Sequence, residues 1–197
     1  MTLNDITLAV LAGGQARRMG GDDKGLIPVA GQPMIRHVLN RVQQPGMTTM
    51  IIANRNQPQY AELGLPVHAD ELPGFMGPMA GMAVAMNRAT TPLVLICPCD
   101  TPKLPADLAH RLLAALEAEE ADAAVACDDE REHPVVILLK RELLGSIEQF
   151  LAAGDRKIDL WYGQHKVARC VFHGAADAFA NINTPEQRQE LEQQLLP

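Results

Sequence analysis

The chain has 197 residues and a formal net charge of −7, from 17 Lys and Arg against 24 Asp and Glu. Acidic balance and an aromatic content of only 4% argue against a protein that binds nucleic acid through counterion release or base stacking. Hydrophobic residues at 47% exclude disorder and predict one globular domain, residues 1–197. No apolar run is long enough for a membrane span, and no basic start of a signal peptide is present, so no membrane partner is expected.

The first half of the chain alternates short apolar runs with helical patterns. Ile6–Leu11 is a continuous apolar run, which is typical of a strand buried on both faces. Apolar residues at helical spacing follow between Met34 and Val42, and short strands are predicted at 50–53 and 66–69. Positions 79 to 86 then place methionines on one helical face, and 91–97 form the next apolar strand. This alternation predicts βαβ units with parallel strands.

The second half continues the pattern with one exception. Leucines from 108 to 116 predict a helix, and 123–127 predict a strand. A charged turn, 128–132, separates this strand from the apolar run 134–139, so the two could be antiparallel and give the sheet a mixed edge. A further helical pattern covers 143–151. Thr184, Pro185 and Gln187 form a capping box that predicts a last helix to about Leu195.

The four cysteines, Cys97, Cys99, Cys127 and Cys170, form no C-x-x-C pair. Their spacing suits neither a disulfide framework nor a zinc site, so we expect reduced thiols in a cytoplasmic enzyme. Cys97 and Cys99 share one face of a strand, where cysteine more often packs in the core than binds a ligand.

In open α/β sheets the ligand site lies beyond the carboxyl ends of the strands. The loop after the first predicted strand, residues 11–25, carries four glycines between its ends together with Arg17, Arg18 and Lys24. It matches neither G-x-x-x-x-G-K-[ST] nor G-x-G-x-x-G. A tight turn with solvated arginines is one interpretation. Glycines combined with three cations at the end of a strand favour phosphate binding.

Asp100 follows the apolar run 93–97 and Pro98-Cys99. A carboxylate in this position suits Mg²⁺, which binds one or two carboxylates plus substrate phosphates. The alternative is that Asp100 or Thr101 caps a helix that begins after Pro102. The basic loop on the opposite side favours the metal site.

Other polar residues near predicted strand ends have two interpretations each. Asp70 could accept hydrogen bonds from a base or ribose, or belong to a surface turn. The Gly/Pro-rich stretch 76–81 could meet a ligand closely or simply open a helix. Arg156 and Lys157 could bind a second anion or form a solvated surface. His133, as a lone histidine, is assigned no role.

Several segments together carry a resemblance. The longest is Leu11-Ala-Gly-Gly-x-Ala-Arg-Arg-Met-Gly-Gly-x-Asp-Lys-Gly25, and Cys97-Pro-Cys-Asp-Thr-Pro102 is the second specific one. The others, in order, are Ala53-Asn54-Arg55, Asp70, Gly77-Pro78-x-Ala-Gly81, His133-Pro134, Ala153-Gly-Asp-Arg156 and Asn181-Ile-Asn-Thr-Pro-Glu186. With them the chain resembles the molybdenum cofactor guanylyltransferases, the MobA family, from Ile6 into the last predicted helix.

The resemblance implies a Rossmann-like, three-layer α/β/α fold with a mostly parallel, partly mixed sheet. It also implies transfer of GMP from GTP to Mo-molybdopterin, with Mg²⁺ as cofactor and release of pyrophosphate. The product would be the molybdopterin guanine dinucleotide cofactor. Other molybdenum cofactor biosynthesis proteins and molybdoenzyme apo-proteins are the partners that this activity implies.

Site residues can be carried over from the family by position. The nucleotide side would use Leu11, Ala12, Gly13, Gly14, Lys24, Ile52, Asn54, Asp70 and Asp100, with Lys24 on the phosphates and Asp100 also on Mg²⁺. The molybdopterin side would use Arg156, Asn181 and Asn183. Family members can carry Asn where this chain has Ile52, which leaves the backbone to reach the nucleotide there. The N-terminal half would thus bind the nucleotide and the C-terminal half the pterin.

Two other functions remain open from the sequence. One is a nucleotidyltransferase that uses CTP or acts on a sugar phosphate; cytidine-using relatives tend to carry Ala where this chain has Gly13. The other is a non-catalytic nucleotide-binding module. Lys24 and Asp100 argue against the latter, because a mere binder needs no aligned metal carboxylate.

Overall fold

A seven-stranded sheet forms the centre of the computed structural model, which describes residues 1–12, 23–69 and 77–195. The strands are β1 Ile6–Leu11, β2 Pro28–Val29, β3 Gln32–Pro33, β4 Thr48–Ile52, β5 Val67–His68, β6 Leu93–Pro98, β7 Ala123–Cys127, β8 Glu132–Lys140 and β9 Val167–Val171. The sheet has the order β5-β4-β1-β6-β8-β7-β9, and β2 and β3 form a separate ribbon.

Every strand of the large sheet is parallel to its neighbour except β8, which is antiparallel to both β6 and β7. The predicted mixed sheet and the antiparallel β7–β8 pair are therefore confirmed. Because only β8 is reversed, the carboxyl ends of the other six strands lie along one edge together with the amino end of β8. This edge is called the carboxyl edge below.

Helices cover both faces of the sheet. They are α1 Met34–Val42, α2 Gln57–Ala61, α3 Pro78–Arg88, α4 Leu108–Ala118, α5 Leu144–Ala152, α6 Ile158–Tyr162 and α7 Pro185–Leu195. Helices α1, α2 and α4 share one core with Leu8 and Val10 of β1, whereas α3, α5 and α6 share a second core with Ala9. The predicted three-layer α/β/α arrangement is thus confirmed. In the described part of the chain, no helix has the length and apolar character needed to cross a bilayer.

The structure contains elements that sequence patterns did not predict. They are α2, α6, β9 and the β2–β3 ribbon, each of five residues or fewer. A run this short holds barely one helical turn or two strand repeats, so its hydrophobic period carries little signal. Strand β9 also alternates buried and exposed positions, with Arg169 exposed.

Helix α7 docks the end of the chain onto the β2–β3 ribbon. Its buried Leu191 forms a small third core with Val29, Met34 and Ile182. The predicted capping box is present, since Gln187 N–H donates to Thr184 Oγ1 at 3.3 Å and Thr184 N–H donates to Gln187 Oε1 at 3.1 Å. This contact brings the residues just before α7 back to the N-terminal half.

Candidate active site

The carboxyl ends of β1, β4 and β6 meet in the middle of the carboxyl edge. Ala12 N–H donates to the Ile52 carbonyl at 2.8 Å, and Cys99 N–H donates to the Leu11 carbonyl at 3.0 Å. These bonds extend the strand pairing by one residue on each side of β1. Asp100, the next residue after Cys99, therefore stands beyond the centre of the sheet, where the sequence predicts the ligand site.

Four predicted site residues, Lys24, Asp100, Asn181 and Asn183, form one hydrogen-bonded group, called the Lys24 cluster below. The Lys24 ammonium donates to Asp100 Oδ2 at 2.9 Å and also to Asn183 Oδ1. Asn181 Nδ2 donates to the same Asp100 oxygen at 3.5 Å. Residues that the sequence predicts for the phosphate and metal end thus contact residues predicted for the second substrate.

Within the Lys24 cluster, the Lys24–Asp100 pair is largely shielded from water, whereas Asn183 is half-buried and Asn181 is exposed. The side chain of Lys24 is 21% exposed and that of Asp100 is 10% exposed. At such depth a charge attracts its partner more strongly than it does in bulk water. The ammonium suits a phosphate oxygen, and the carboxylate and amide oxygens are hard ligands that suit a divalent cation. The cluster can therefore bind a phosphate, a cation or both together.

Lys24 is held in place by the buried carboxylate of Asp23. Asp23 is 5% exposed and accepts from the Tyr60 hydroxyl at 2.5 Å, from Asn56 Nδ2 at 3.2 Å and from Gly25 N–H at 3.3 Å. The last bond caps the 3₁₀ turn Lys24–Leu26. Sequence reasoning missed Asp23, although an acidic residue at the start of a Gly-containing turn is a recognisable signal.

The segment 181–183 is held from three directions. Ile182 N–H donates to the backbone carbonyl of Asp100 at 2.9 Å, and the Ile182 side chain is buried in the third core. Asn183 N–H donates to Gln187 Oε1 at 2.7 Å, which ties it to the first turn of α7. The backbone therefore presents both asparagine side chains to Asp100 and Lys24.

The alternative that Asp100 or Thr101 caps a helix is wrong. Residues 99–107 form turns, and α4 begins at Leu108, with Asp107 in the capping position. Thr101 Oγ1 donates back to the Pro98 carbonyl at 3.2 Å. The Asp100 carboxylate is therefore free of any capping role and faces the Lys24 cluster.

Other predicted site residues lie outside the described residues or at exposed positions. Gly13, Gly14 and Asp70 lie outside them, as do Arg17 and Arg18. Asn54 is exposed just after β4, at the carboxyl edge, and Arg156 is exposed in the segment between α5 and α6. The nucleotide contact of Asn54 and the pterin contact of Arg156 stay predictions.

The stretch 77–81 opens α3 beside the site. A Cβ atom added to Gly81 would lie 3.1 Å from Leu11 Cδ2 and 3.6 Å from Ile52 Cγ2. Glycine here lets α3 approach the ends of β1 and β4 closely. The described part of this stretch does open a helix, and its observed contact is with the two strands.

The side chains of Cys97 and Cys99 pack in the core, as predicted. All four are free and buried, and burial raises the pKa of the Cys97 thiol far above its ordinary value. A buried neutral thiol packs as a small apolar side chain. Within residues 1–12, 23–69 and 77–195, no group of three His, Cys, Asp or Glu side chains is arranged to hold a metal ion.

Comparison with known proteins gives consistent results. Residues 8–170 match the model of the MobA-like NTP transferase domain. A protein of Shewanella amazonensis named molybdenum cofactor guanylyltransferase is 54% identical, covering 96% of this chain and 97% of its own length. The protein of the same name from Shewanella loihica is 52% identical, covering 94% and 95%.

A solved structure has the same fold. It is that of the molybdopterin-guanine dinucleotide biosynthesis protein A from Archaeoglobus fulgidus, with a TM-score of 0.76 at 21% identity. The match covers 95% of this chain and 97% of that chain.

Proposed function

The chain belongs to the molybdenum cofactor guanylyltransferases within the MobA-like NTP transferase family, and we propose how its residues share the work of that nucleotidyl transfer. The substrates are GTP and Mo-molybdopterin, and the products are the guanine dinucleotide cofactor and pyrophosphate. The observation that carries the assignment of residues is the Lys24 cluster. It joins a lysine ammonium, a carboxylate and two amides at the carboxyl edge.

We assign the nucleotide to the ends of β1, β4 and β6. Leu11, Ala12 and the adjoining Gly13 and Gly14 would contact it through their backbone, and Asp70 would bind the nucleoside. Asn54 would add a side-chain contact at the end of β4. The Ile52 side chain is 4% exposed and packs against α3, so only its backbone can take part.

Asp100 fits a Mg²⁺ ion that is bound together with the triphosphate. Its carboxylate is the acidic group of the Lys24 cluster, and Mg²⁺ is usually bound by one or two carboxylates plus substrate phosphates. No group of three His, Cys, Asp or Glu side chains among the described residues could bind a metal ion by itself. The phosphates of the nucleotide would therefore supply further oxygen ligands beside the Asp100 carboxylate. When bound there, Mg²⁺ would offset charge on the triphosphate and on the departing pyrophosphate.

The reaction needs alignment and charge stabilisation rather than covalent chemistry from the protein. The terminal phosphate oxygen of molybdopterin attacks the α-phosphorus of GTP, and the bond from that phosphorus to the bridging oxygen of pyrophosphate breaks. The attacking phosphate is already ionised, so no general base is required. When the nucleotide binds, the Lys24 ammonium would give up its hydrogen bonds to Asn183 and Asp100 and donate to phosphate oxygens instead. There it would stabilise the negative charge that develops on those oxygens.

We assign the second substrate to Arg156, Asn181 and Asn183. The amide side chains offer both donors and acceptors to a polar pterin ring, and the forked guanidinium suits an anion or a ring carbonyl. Since Asn183 accepts from Lys24, the two substrates would meet across this pair.

The test is pyrophosphate release with each of the four nucleoside triphosphates, with and without Mo-molybdopterin, in Mg²⁺ and in EDTA. We expect release only with GTP, Mo-molybdopterin and Mg²⁺ together. Release with CTP, or with a sugar phosphate in place of the pterin, would instead favour another nucleotidyltransferase. GTP binding without release in any mixture would favour a binding module.

A further inference from the structure

A buried acid–histidine pair lies on the carboxyl edge outside the Lys24 cluster. Asp128 directly follows β7 and His133 lies in β8, with Asp128 Oδ2 and His133 Nε2 2.9 Å apart. The Asp128 side chain is 4% exposed and that of His133 is 8% exposed. Asp128 Oδ1 also accepts from the N–H groups of Glu130 and Arg131, each at 2.8 Å. The backbone of residues 130 and 131 therefore holds the Asp128 carboxylate in place, and the carboxylate orients the His133 imidazole.

The backbone beside His133 is irregular. Pairing between β7 and β8 runs from Val125 opposite Ile137 to Ala126 opposite His133, so the register shifts across residues 134–136. Pro134 lies in this irregularity, where its missing N–H removes no ladder bond. Such bulges often redirect a side chain next to a functional site.

The imidazole is directed onto Phe179. The two rings are parallel, with an interplanar angle of 11° and centroids 4.4 Å apart. Phe179 is 1% exposed and is also in edge contact with Phe172, at 5.3 Å between centroids. It ends the 3₁₀ turn Ala176–Phe179, two residues before Asn181.

Phe179 therefore fixes the start of the segment that completes the Lys24 cluster, and the Thr184 cap fixes its end. Only residues 180–183 lie between these two anchors. We propose that His133, oriented by Asp128, is a positioning residue that acts through Phe179 to set where Asn181 and Asn183 stand against Asp100 and Lys24. The proposal rests on the function proposed above. It predicts that substitution of His133 lowers kcat/KM for the second substrate and leaves the affinity for GTP unchanged.

The experiment compares His133→Ala, His133→Gln and His133→Phe with a matched control. Gln can still bond to Asp128 but has no ring, whereas Phe keeps a ring for the stack and loses the bond. The control is His165→Ala, which removes a histidine that bonds to Ser146 at 2.8 Å and contacts the Trp161 ring at 4.6 Å. His165 precedes β9, at the opposite edge of the sheet.

We expect His133→Ala and His133→Gln to lower kcat/KM for Mo-molybdopterin at least ten-fold while the calorimetric Kd for GTP stays within two-fold. His133→Phe should recover most of the loss, and His165→Ala should show none. The side-chain amide NMR signals of Asn181 and Asn183 should shift in the first two variants and not in the control. His133→Gln provides the test if His133→Ala fails to fold.

The proposal is overturned if folded His133→Gln keeps wild-type kcat/KM for the pterin. It is also overturned if GTP affinity falls in step with turnover, or if His165→Ala has the same effect, because either result indicates general loss of stability. Failure of the proposed function looks different, since the wild-type protein itself would then transfer no GMP.

Discussion

Lys24 is the cation that the structure places beside both Asp100 and Asn183. We expect Lys24→Ala to lower kcat/KM for GTP at least 100-fold, about 2.7 kcal/mol of lost transition-state binding, because a point charge on the phosphates is removed. Steady-state pyrophosphate release measures this. Lys166→Ala removes an exposed lysine at the opposite edge and serves as control. Unchanged turnover in Lys24→Ala would contradict the phosphate assignment.

Asp100 can be tested with a change that keeps its shape. Asp100→Asn retains one acceptor oxygen for Lys24 but loses the negative charge that a divalent cation needs. We expect turnover to fall at least 100-fold, while the melting temperature moves by no more than about 4 °C, equivalent to roughly 1 kcal/mol. Asp107→Asn, at the exposed start of α4, should leave both quantities unchanged. Normal turnover in Asp100→Asn would argue against a metal role.

The 3₁₀ turn that carries Lys24 depends on a close approach at Gly25. A Cβ atom there would lie 2.4 Å from the Tyr60 hydroxyl, and Tyr60 is completely buried, so the ring cannot move freely. We expect Gly25→Ala to lower the free energy of unfolding by about 1–3 kcal/mol, as overpacking does. Urea denaturation measures the change, and turnover per folded molecule should fall because Lys24 is displaced.

Gly145 provides the matched control for this prediction. It lies in α5, and a Cβ atom added there would meet nothing within 4 Å. Gly145→Ala should therefore be neutral or stabilise by about 0.5–1 kcal/mol, since alanine is the better helix former. Tyr60→Phe should partly rescue Gly25→Ala by removing the hydroxyl. Equal effects of the two alanine substitutions would show that the close approach does not matter.

The turn between β7 and β8 makes stability depend on pH. Hydrogen bonds from Arg131 N–H, from Glu130 N–H and from His133 hold the pKa of Asp128 at about 2, below its ordinary value of 3.8. A lowered pKa means that this carboxylate stabilises the fold fully above about pH 4, and the contribution is lost as the pH falls towards 2.

Asp128→Asn should consequently be less stable than the wild-type protein at neutral pH. The difference between the two free energies of unfolding should shrink as the pH falls from 4 to 2, where the wild-type carboxylate becomes protonated. Urea titrations at a series of pH values measure it. A difference that stays constant over this range would mean that the hydrogen bonds to Asp128 do not lower its pKa.

Both halves of the chain contribute strands to one sheet, and α7 closes the molecule onto the β2–β3 ribbon. The predicted division into a nucleotide half and a pterin half can be tested across this contact. Arg156→Ala should leave the GTP Kd unchanged. Asn183→Ala should leave it unchanged or slightly lower, because Lys24 no longer has to leave Asn183 to reach phosphate.

Cofactor formation should nevertheless drop at least ten-fold in both variants, about 1.4 kcal/mol or more of lost transition-state binding. Calorimetric GTP titration beside a cofactor-conversion assay measures the two effects separately. A parallel loss of GTP affinity and conversion would show that the halves do not divide the substrates in this way.

Much of the architecture could be predicted from local patterns. The apolar run of β1, the helical stripe of α1 and the capping box of α7 each lie within about a dozen residues, and hydrophobic period and capping chemistry act over that distance. Helix α6 and strand β9 were missed because five residues hold too few repeats to show a period; β7 has the same length but was predicted, because all of its residues are apolar, whereas β9 contains Arg169.

The sequence by itself determined the family and the α/β class and predicted individual site residues, because contiguous motifs and periodicity carry that information. Only the tertiary structure decided which of those residues meet. Lys24 and Asn183 are 159 positions apart, Asp100 and Asn181 are 81 apart, and Asp23 and Tyr60 are 37 apart. No local pattern records such pairings, because they arise only when the sheet order and the docking of α7 bring distant segments to one edge.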